Sequence, residues 1–333
     1  MNPTKKLIIF ALIAVLSISF STKVSHAKEY EDTIKKSFRV KPGQLFYLKS
    51  DMGSVDVGSW DKREVRLVVI KKARVSSKRE AMRAFDDLEI RFDQNRQGVN
   101  VIAEYTGEKR WFSGRRKLRV RFEVMVPREF DLDINTAGGS ISVEDLAGKI
   151  MLHTSGGSIS VGKIDGPVNA KTSGGSIKVR GSNGDIDVHT SGGSISIGET
   201  TGSIDAETSG GSITLDRVDG DTRVHTSGGG LKLNNLSGNV QGSTSGGSIY
   251  AELTKNIDSD CYLKTSGGGI TVYLPRNISV EIDAHTSGGS VTTDFPITIK
   301  GKVKRNLLYG KINNGGPLLK LRTSGGGIRI KEL

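Results

Sequence analysis

An all-β fold, a parallel β-solenoid of about ten 18-residue coils, is predicted by three features of this 333-residue chain. A tetrapeptide recurs at a fixed interval. Apolar residues keep the same register as that tetrapeptide. Glycine is abundant, with 43 residues, while prolines number seven and aromatics make up 6%. Glycine without excess proline or a Gly-X-Y period excludes a collagen helix and a simple disordered linker.

The tetrapeptide Thr-Ser-Gly-Gly starts at Thr154, Thr172, Thr190, Thr208, Thr226, Thr244, Thr265, Thr286 and Thr323, and a Thr-Ala-Gly-Gly variant starts at Thr136. The first six intervals are 18 residues, the next two 21 and the last 37. A period of this size marks a stacked repeat architecture. Five positions after the threonine come residues such as Ile159, Ile177, Ile195 and Ile213, and seven after come Val161, Val179, Ile197 and Leu215. Two before come Leu152, Ala170 and Val188, and four before come Val168, Ile186 and Val240. Polar residues alternate with these, which is the period of a strand with one buried face. Each coil therefore has two short strands. Gly-Gly makes one corner, where positive φ is expected, and turn formers such as Asp165-Gly166 and Asn183-Gly184 make the other. A half-coil cannot bury its own apolar face, so the coils must stack. At about 4.8 Å per coil, ten coils make a rod on the order of 50 Å long.

The chain divides into a signal peptide (residues 1–27), a basic strand-rich module with one short helix (28–133) and the repeat domain (134–333). Lys5 and Lys6 precede an apolar run from Leu7 to Phe20, and Ser25-His26-Ala27 suits cleavage after Ala27. The apolar run is short for a membrane span of about 20 residues. An exported protein, periplasmic, cell-surface or secreted, is expected. The single cysteine, Cys261, allows no disulfide within the chain. It stands in the register of Val240 and Ile282 and reads as a small buried hydrophobe.

Residues 28–133 contain 25 Lys/Arg and 18 Asp/Glu, a net charge of +7, whereas residues 134–333 carry only +2. For an exported chain this basicity points to anionic lipid, wall polymer or polysaccharide rather than nucleic acid. The module reads as a small α+β cap for the solenoid end. Ser77 and Glu80 form a capping box for a helix with Ala81, Phe85 and Leu88 on one face. Residues 49–57 look like a degenerate first coil.

The lead-in Gly53-Ser54-Val55-Asp56-Val57-Gly58-Ser59-Trp60, the basic module and the many Thr-Ser-Gly-Gly-Ser-Ile coils together resemble the bacterial "putative adhesin" family of β-strand-repeat proteins. The resemblance covers roughly residues 45–333. It implies the solenoid architecture and an adhesin-like role, and it brings no site residues with it.

Two groups of side chains are candidates for binding. The segment Lys109, Arg110, Trp111, Phe112, Ser113, Gly114, Arg115, Arg116, Lys117 places five cations around two aromatics, and is expected at the tip of a hairpin between strands 99–104 and 117–126. Rings and cations together suit a headgroup interface or an anionic glycan. They equally suit packing of the rings onto the solenoid end. The second group is an outward stripe immediately before the repeat threonines, comprising His153, Lys171, His189, His225, Lys264, His285 and Arg322. Its first three histidines lie two coils apart, roughly 10 Å between neighbours, too far to share one metal ion. The stripe reads as a solvated polar face that gains charge below pH ~6.5. No catalytic residue, metal or cofactor is assigned.

Three functional classes follow. The first is a non-catalytic envelope binding or scaffold protein whose basic module contacts an anionic surface. The second is a carbohydrate-active enzyme. A groove of clustered carboxylates would favour it, and a flat face of Ser, Thr and Lys would oppose it. The third is a scaffold that pairs a partner strand on an end coil, with Ile328-Arg329-Ile330-Lys331 as the expected edge.

Overall fold

The computed structural model describes residues 27–107, 118–255, 257–299 and 304–333. The expected all-β solenoid is present, as two 15-stranded sheets. Every central coil gives one strand to each sheet. In the Thr190 coil these are Ile186–Thr190 and, after the Gly-Gly corner, Ile195–Thr200. Neighbouring coils pair in parallel at a shift of 18 residues, so that Val188 stands beside Ala206, Thr190 beside Thr208 and Ile195 beside Ile213. The period is thus converted directly into register. The inward residues of both sheets, such as Ile186, Val188, Ile195 and Ile197, form one core that runs the length of the stack.

The repeat threonine is buried as well. From Thr154 to Thr226, each threonine Oγ1 donates to a glycine carbonyl of the preceding coil at 2.7–2.8 Å. The same oxygens accept the N–H of the glycine three residues on at 3.3–3.4 Å. The hydroxyl thereby occupies polar backbone groups that the corner would otherwise bury unpaired.

The corner glycines have a different reason from the expected one. Among the Gly-Gly corners of the repeat only Gly139 has positive φ, at 121°. The second glycine of each corner is required because it lies on the carbonyl of the coil before. A Cβ on Gly157, Gly175 or Gly193 would sit 2.0–2.1 Å from that oxygen. Positive φ belongs instead to the other corner, at Gly148 and Gly166.

Chain order and stacking order differ at both ends. At the C-terminal end the Thr323 coil lies between the Thr265 and Thr286 coils. Leu318–Thr323 pairs with Cys261–Thr265 on one side and Val280–Thr286 on the other. Ile328–Glu332 likewise lies between Ile270–Leu274 and Val291–Thr293. The expectation that the last strand is an open edge is therefore corrected. The physical reason lies in the 37-residue interval. It holds Leu307–Ile312, which pairs antiparallel on the outer side of Val280–Thr286. That closes the outside and leaves only an inner place for the last coil.

The N-terminal end mirrors this. Leu45–Ser50 and Ser54–Trp60 form the coil expected near residues 49–57, with Ser50 beside Thr136 and Val55 beside Ile141. Gly98–Tyr105 and Leu118–Pro127 stack outside it, each parallel to its neighbour. These two strands therefore belong to different sheets, and the expected hairpin between them is corrected. Alternation identified both as strands, but their partners are set by the coil at 45–60. Antiparallel strands Leu88–Gln94, Glu64–Val75 and Lys28–Arg39 complete this end. The helix Lys78–Asp86, capped by Ser77, packs Ala81 and Phe85 into the core. Antiparallel pairing at both ends stops the parallel stack from offering long open edges.

Candidate binding faces

The stripe before the threonines is one straight row on the outer face of the second sheet. Strand pairing places His153, Lys171, His189, Glu207, His225, Ser243 and Lys264 side by side in that order. Arg322 then stands between Lys264 and His285, because the last coil is inserted there. His153, Lys171, His225 and Lys264 are exposed, and His189, His285 and Arg322 are half-buried. The row is tied together by side-chain contacts along the stack. His189 Nδ1 is 3.6 Å from a Glu207 oxygen. His225 Nδ1 is 2.8 Å from Ser243 Oγ. Arg322 pairs with Asp283. The basic-aromatic segment, Lys109, Arg110, Trp111, Phe112, Arg115, Arg116 and Lys117, lies outside the described residues.

Beside the stripe, the same sheet carries a groove of about 510 Å³ that includes Asp185, Asp187, Asp205, Asp221 and Asp260, with Lys149 and Arg223. Its corner carboxylates hold the stack. Asp185 accepts the Ser203 N–H at 2.8 Å, Asp221 accepts the Asn239 N–H at 3.1 Å, and Asp260 accepts the Leu318 N–H at 2.8 Å. Asp131 does the same for Lys149 at 2.8 Å. Asp187 accepts from Asn169 at 2.7 Å and lies 3.6 Å from the Lys171 ammonium. Asp205 sits 4.0 Å from Arg223. Burial pushes its carboxyl above the usual range, and the nearby carboxylates Asp187 and Glu207 push the same way while Arg223 opposes them. Asp131, Asp185, Asp221 and Asp260 share one position, five residues before the repeat threonine, and Asp187 and Asp205 share another, three before it.

The outer face of the first sheet carries a row of Ser, Thr and Lys beside a second groove of about 500 Å³ that includes Asp145, Lys163, Asp165 and Glu199. Where a serine follows the Gly-Gly pair it accepts the N–H of its counterpart one coil on, as Ser158 does from Ser176 and Ser176 from Ser194, both at 3.2 Å. Two residues further along the strand, Ser142, Ser160, Lys178, Ser196 and Thr214 form an outward row. Carboxylates therefore line a groove on each sheet, and the Ser/Thr/Lys row is confined to the first.

Cys261, in the register of Val240 and Ile282, is buried, and its thiol is pushed up chiefly by that burial. No helix among the described residues is long and apolar enough to cross a membrane.

No curated protein matches this chain. Among solved structures, a putative cell adhesion protein from Clostridium sporogenes ATCC 15579 is similar at 12% identity, covering 92% of this chain and 100% of its own, with a TM-score of 0.21. A putative adhesin from Bacteroides fragilis NCTC 9343 is similar at 12% identity, covering 91% of this chain and 97% of its own, with a TM-score of 0.30. Scores at that level say nothing about shared geometry or role. Residues 220–331 match the Toastrack DUF4097 family, in agreement with the family resemblance carried by the Thr-Ser-Gly-Gly coils.

Proposed function

We propose that the protein is an exported, non-catalytic, adhesin-like binding or scaffold protein of the cell envelope. The solenoid is a stiff display rod, and the basic N-terminal region contacts an anionic surface of lipid, wall polymer or polysaccharide. The observation that carries this reading is the joining of a +7 region to a nearly neutral rod whose two outer faces carry rows of polar side chains over most of their length. Extended polar rows of this kind suit a polymer or surface better than a small molecule. The test is retention of residues 28–333 on anionic vesicles, wall polymer and envelope polysaccharides at two salt concentrations. Retention that weakens with salt, and weakens again when Arg115, Arg116 and Lys117 become serine, supports the reading. Retention indifferent to both contradicts it.

The carboxylate groove favours a second reading, a carbohydrate-active enzyme. It ranks second because Asp185, Asp221 and Asp260 are occupied by backbone N–H groups and Asp187 by Asn169 and Lys171. Asp205 is the carboxyl best placed for chemistry. Cleavage of an envelope polysaccharide that is lost in Asp205→Asn would move this reading to first place.

A further inference from the structure

The rod is not uniform along its length. Residues 134–249 contain no Tyr, Phe or Trp, whereas Tyr250, Tyr262, Tyr273 and Tyr309 all fall in the last coils. A core requirement does not explain them, because all four side chains face outward and are half-buried or exposed. Two of them meet on the first sheet. The Tyr250 and Tyr273 rings lie 5.2 Å apart between centroids, tilted by 46°. They come from neighbouring coils, and each interrupts a row that elsewhere holds small or charged residues.

Cations surround this pair. Lys232 stands beside Tyr250 in the preceding coil, and Arg329 follows Thr271 in the same row. Lys331 pairs in register with Tyr273 and holds its ammonium 5.8 Å from the ring centre. Glu252 is engaged by the Tyr250 hydroxyl, which donates to it. The patch is therefore aromatic and net cationic, and it is flat because it is built on a sheet.

We infer that Tyr250 and Tyr273, with Lys232, Arg329 and Lys331, form a binding site for an acidic oligosaccharide at the C-terminal end of the rod. Ring faces carry the negative part of the aromatic quadrupole and attract the polarised C–H bonds of a sugar face. Tyrosine also offers contact area at small conformational cost, and tyrosine and arginine are enriched where binding energy concentrates. The three cations would pair uronate carboxylates. The inserted last coil supplies Arg329 and Lys331, so the site exists only because that coil stacks against the Thr265 coil. The inference deepens the adhesin-like reading by naming a ligand class and a second contact, at the opposite end from the basic module.

The test uses residues 28–333 titrated calorimetrically with oligogalacturonate, its methyl ester, and phosphatidylglycerol vesicles. The expected result is salt-sensitive binding of oligogalacturonate, clearly weaker binding of the neutral ester, and a loss of roughly tenfold or more in Tyr250→Ser/Tyr273→Ser. Serine already occupies the Tyr250 row at Ser142, Ser160 and Ser196, and Tyr273 faces outward beside Glu252 and Lys331, so neither change empties the core. Vesicle binding should be the same in the variant and the parent. Unchanged oligogalacturonate affinity in the double variant overturns the site, as does equal affinity for the methyl ester. Vesicle retention with no oligosaccharide binding overturns this inference and leaves the envelope-binding reading standing. Oligosaccharide binding without vesicle retention does the reverse for the basic-module contact.

Discussion

Alanine at Gly156 and alanine at Gly157 should have opposite effects, although the two residues are adjacent. A Cβ on Gly157 would stand 2.0 Å from the Gly139 carbonyl oxygen, and contacts under 3.0 Å are essentially never seen. The coil must therefore shift by about 1 Å against a neighbour only ~4.8 Å away. Overpacking of this kind costs about 1–3 kcal/mol. The shift also strains the ladder bonds that join these coils, such as Ile141 N–H to Ser158 O at 3.0 Å. Two weakened bonds add about 2 kcal/mol, for a total of roughly 3–5 kcal/mol. A Cβ on Gly156 meets nothing within 4 Å, and its φ lies outside the left-handed range. Gly156→Ala should stabilise by about 0.4–1 kcal/mol, through loss of unfolded-state freedom. Urea unfolding midpoints of residues 28–333 measure the difference. Amide exchange at the Thr136 and Thr154 coils locates it, which matters because repeat stacks need not unfold as one unit. Equal midpoints for the two variants would refute the argument that close backbone stacking selects the second glycine.

Three further outcomes are expected. Thr190→Val removes the donor to the Gly175 carbonyl at 2.7 Å and should cost about 1–3 kcal/mol, with Thr190→Ser much milder; urea midpoints for the pair decide it. Leu321 is fully buried in the inserted coil, so Leu321→Ala should cost about 2–5 kcal/mol, and amide protection at Ile328–Glu332 should match that of central coils rather than a fraying terminus. The Cys261 thiol should resist alkylation at pH 8 until the protein unfolds. Its raised native pKa gives a stabilising contribution that is complete below the ordinary thiol value of 9.0 and lost as the pH rises through the native one. An alkylation rate matching free cysteine would show the side chain to be accessible.

The solenoid was legible in the sequence because its two periods are both physical. Alternation sets which face of a strand is buried, and the 18-residue spacing sets the register between coils, so Ile177, Ile195 and Ile213 had to stack once the coils did. The buried place of Cys261 followed from the same register. The corner aspartates were equally present in the sequence, but their role depends on the N–H group one coil away, which no local pattern reveals.

The stacking order at the two ends was decided only in three dimensions. A repeat pattern says that Leu321 fits against a coil face, and every coil face accepts it equally. Which face is free depends on the antiparallel strands Leu307–Ile312 and Glu64–Val75, whose partners lie far along the chain. The same holds for Tyr250, Tyr273 and Lys331. Their positions in the repeat were readable, but their meeting on one surface required the last coil to enter the stack beside the Thr265 coil. Sequence periodicity determined what each residue faces, inward or outward. Tertiary structure alone determined its neighbours at the ends, because there the order of contact departs from the order of synthesis.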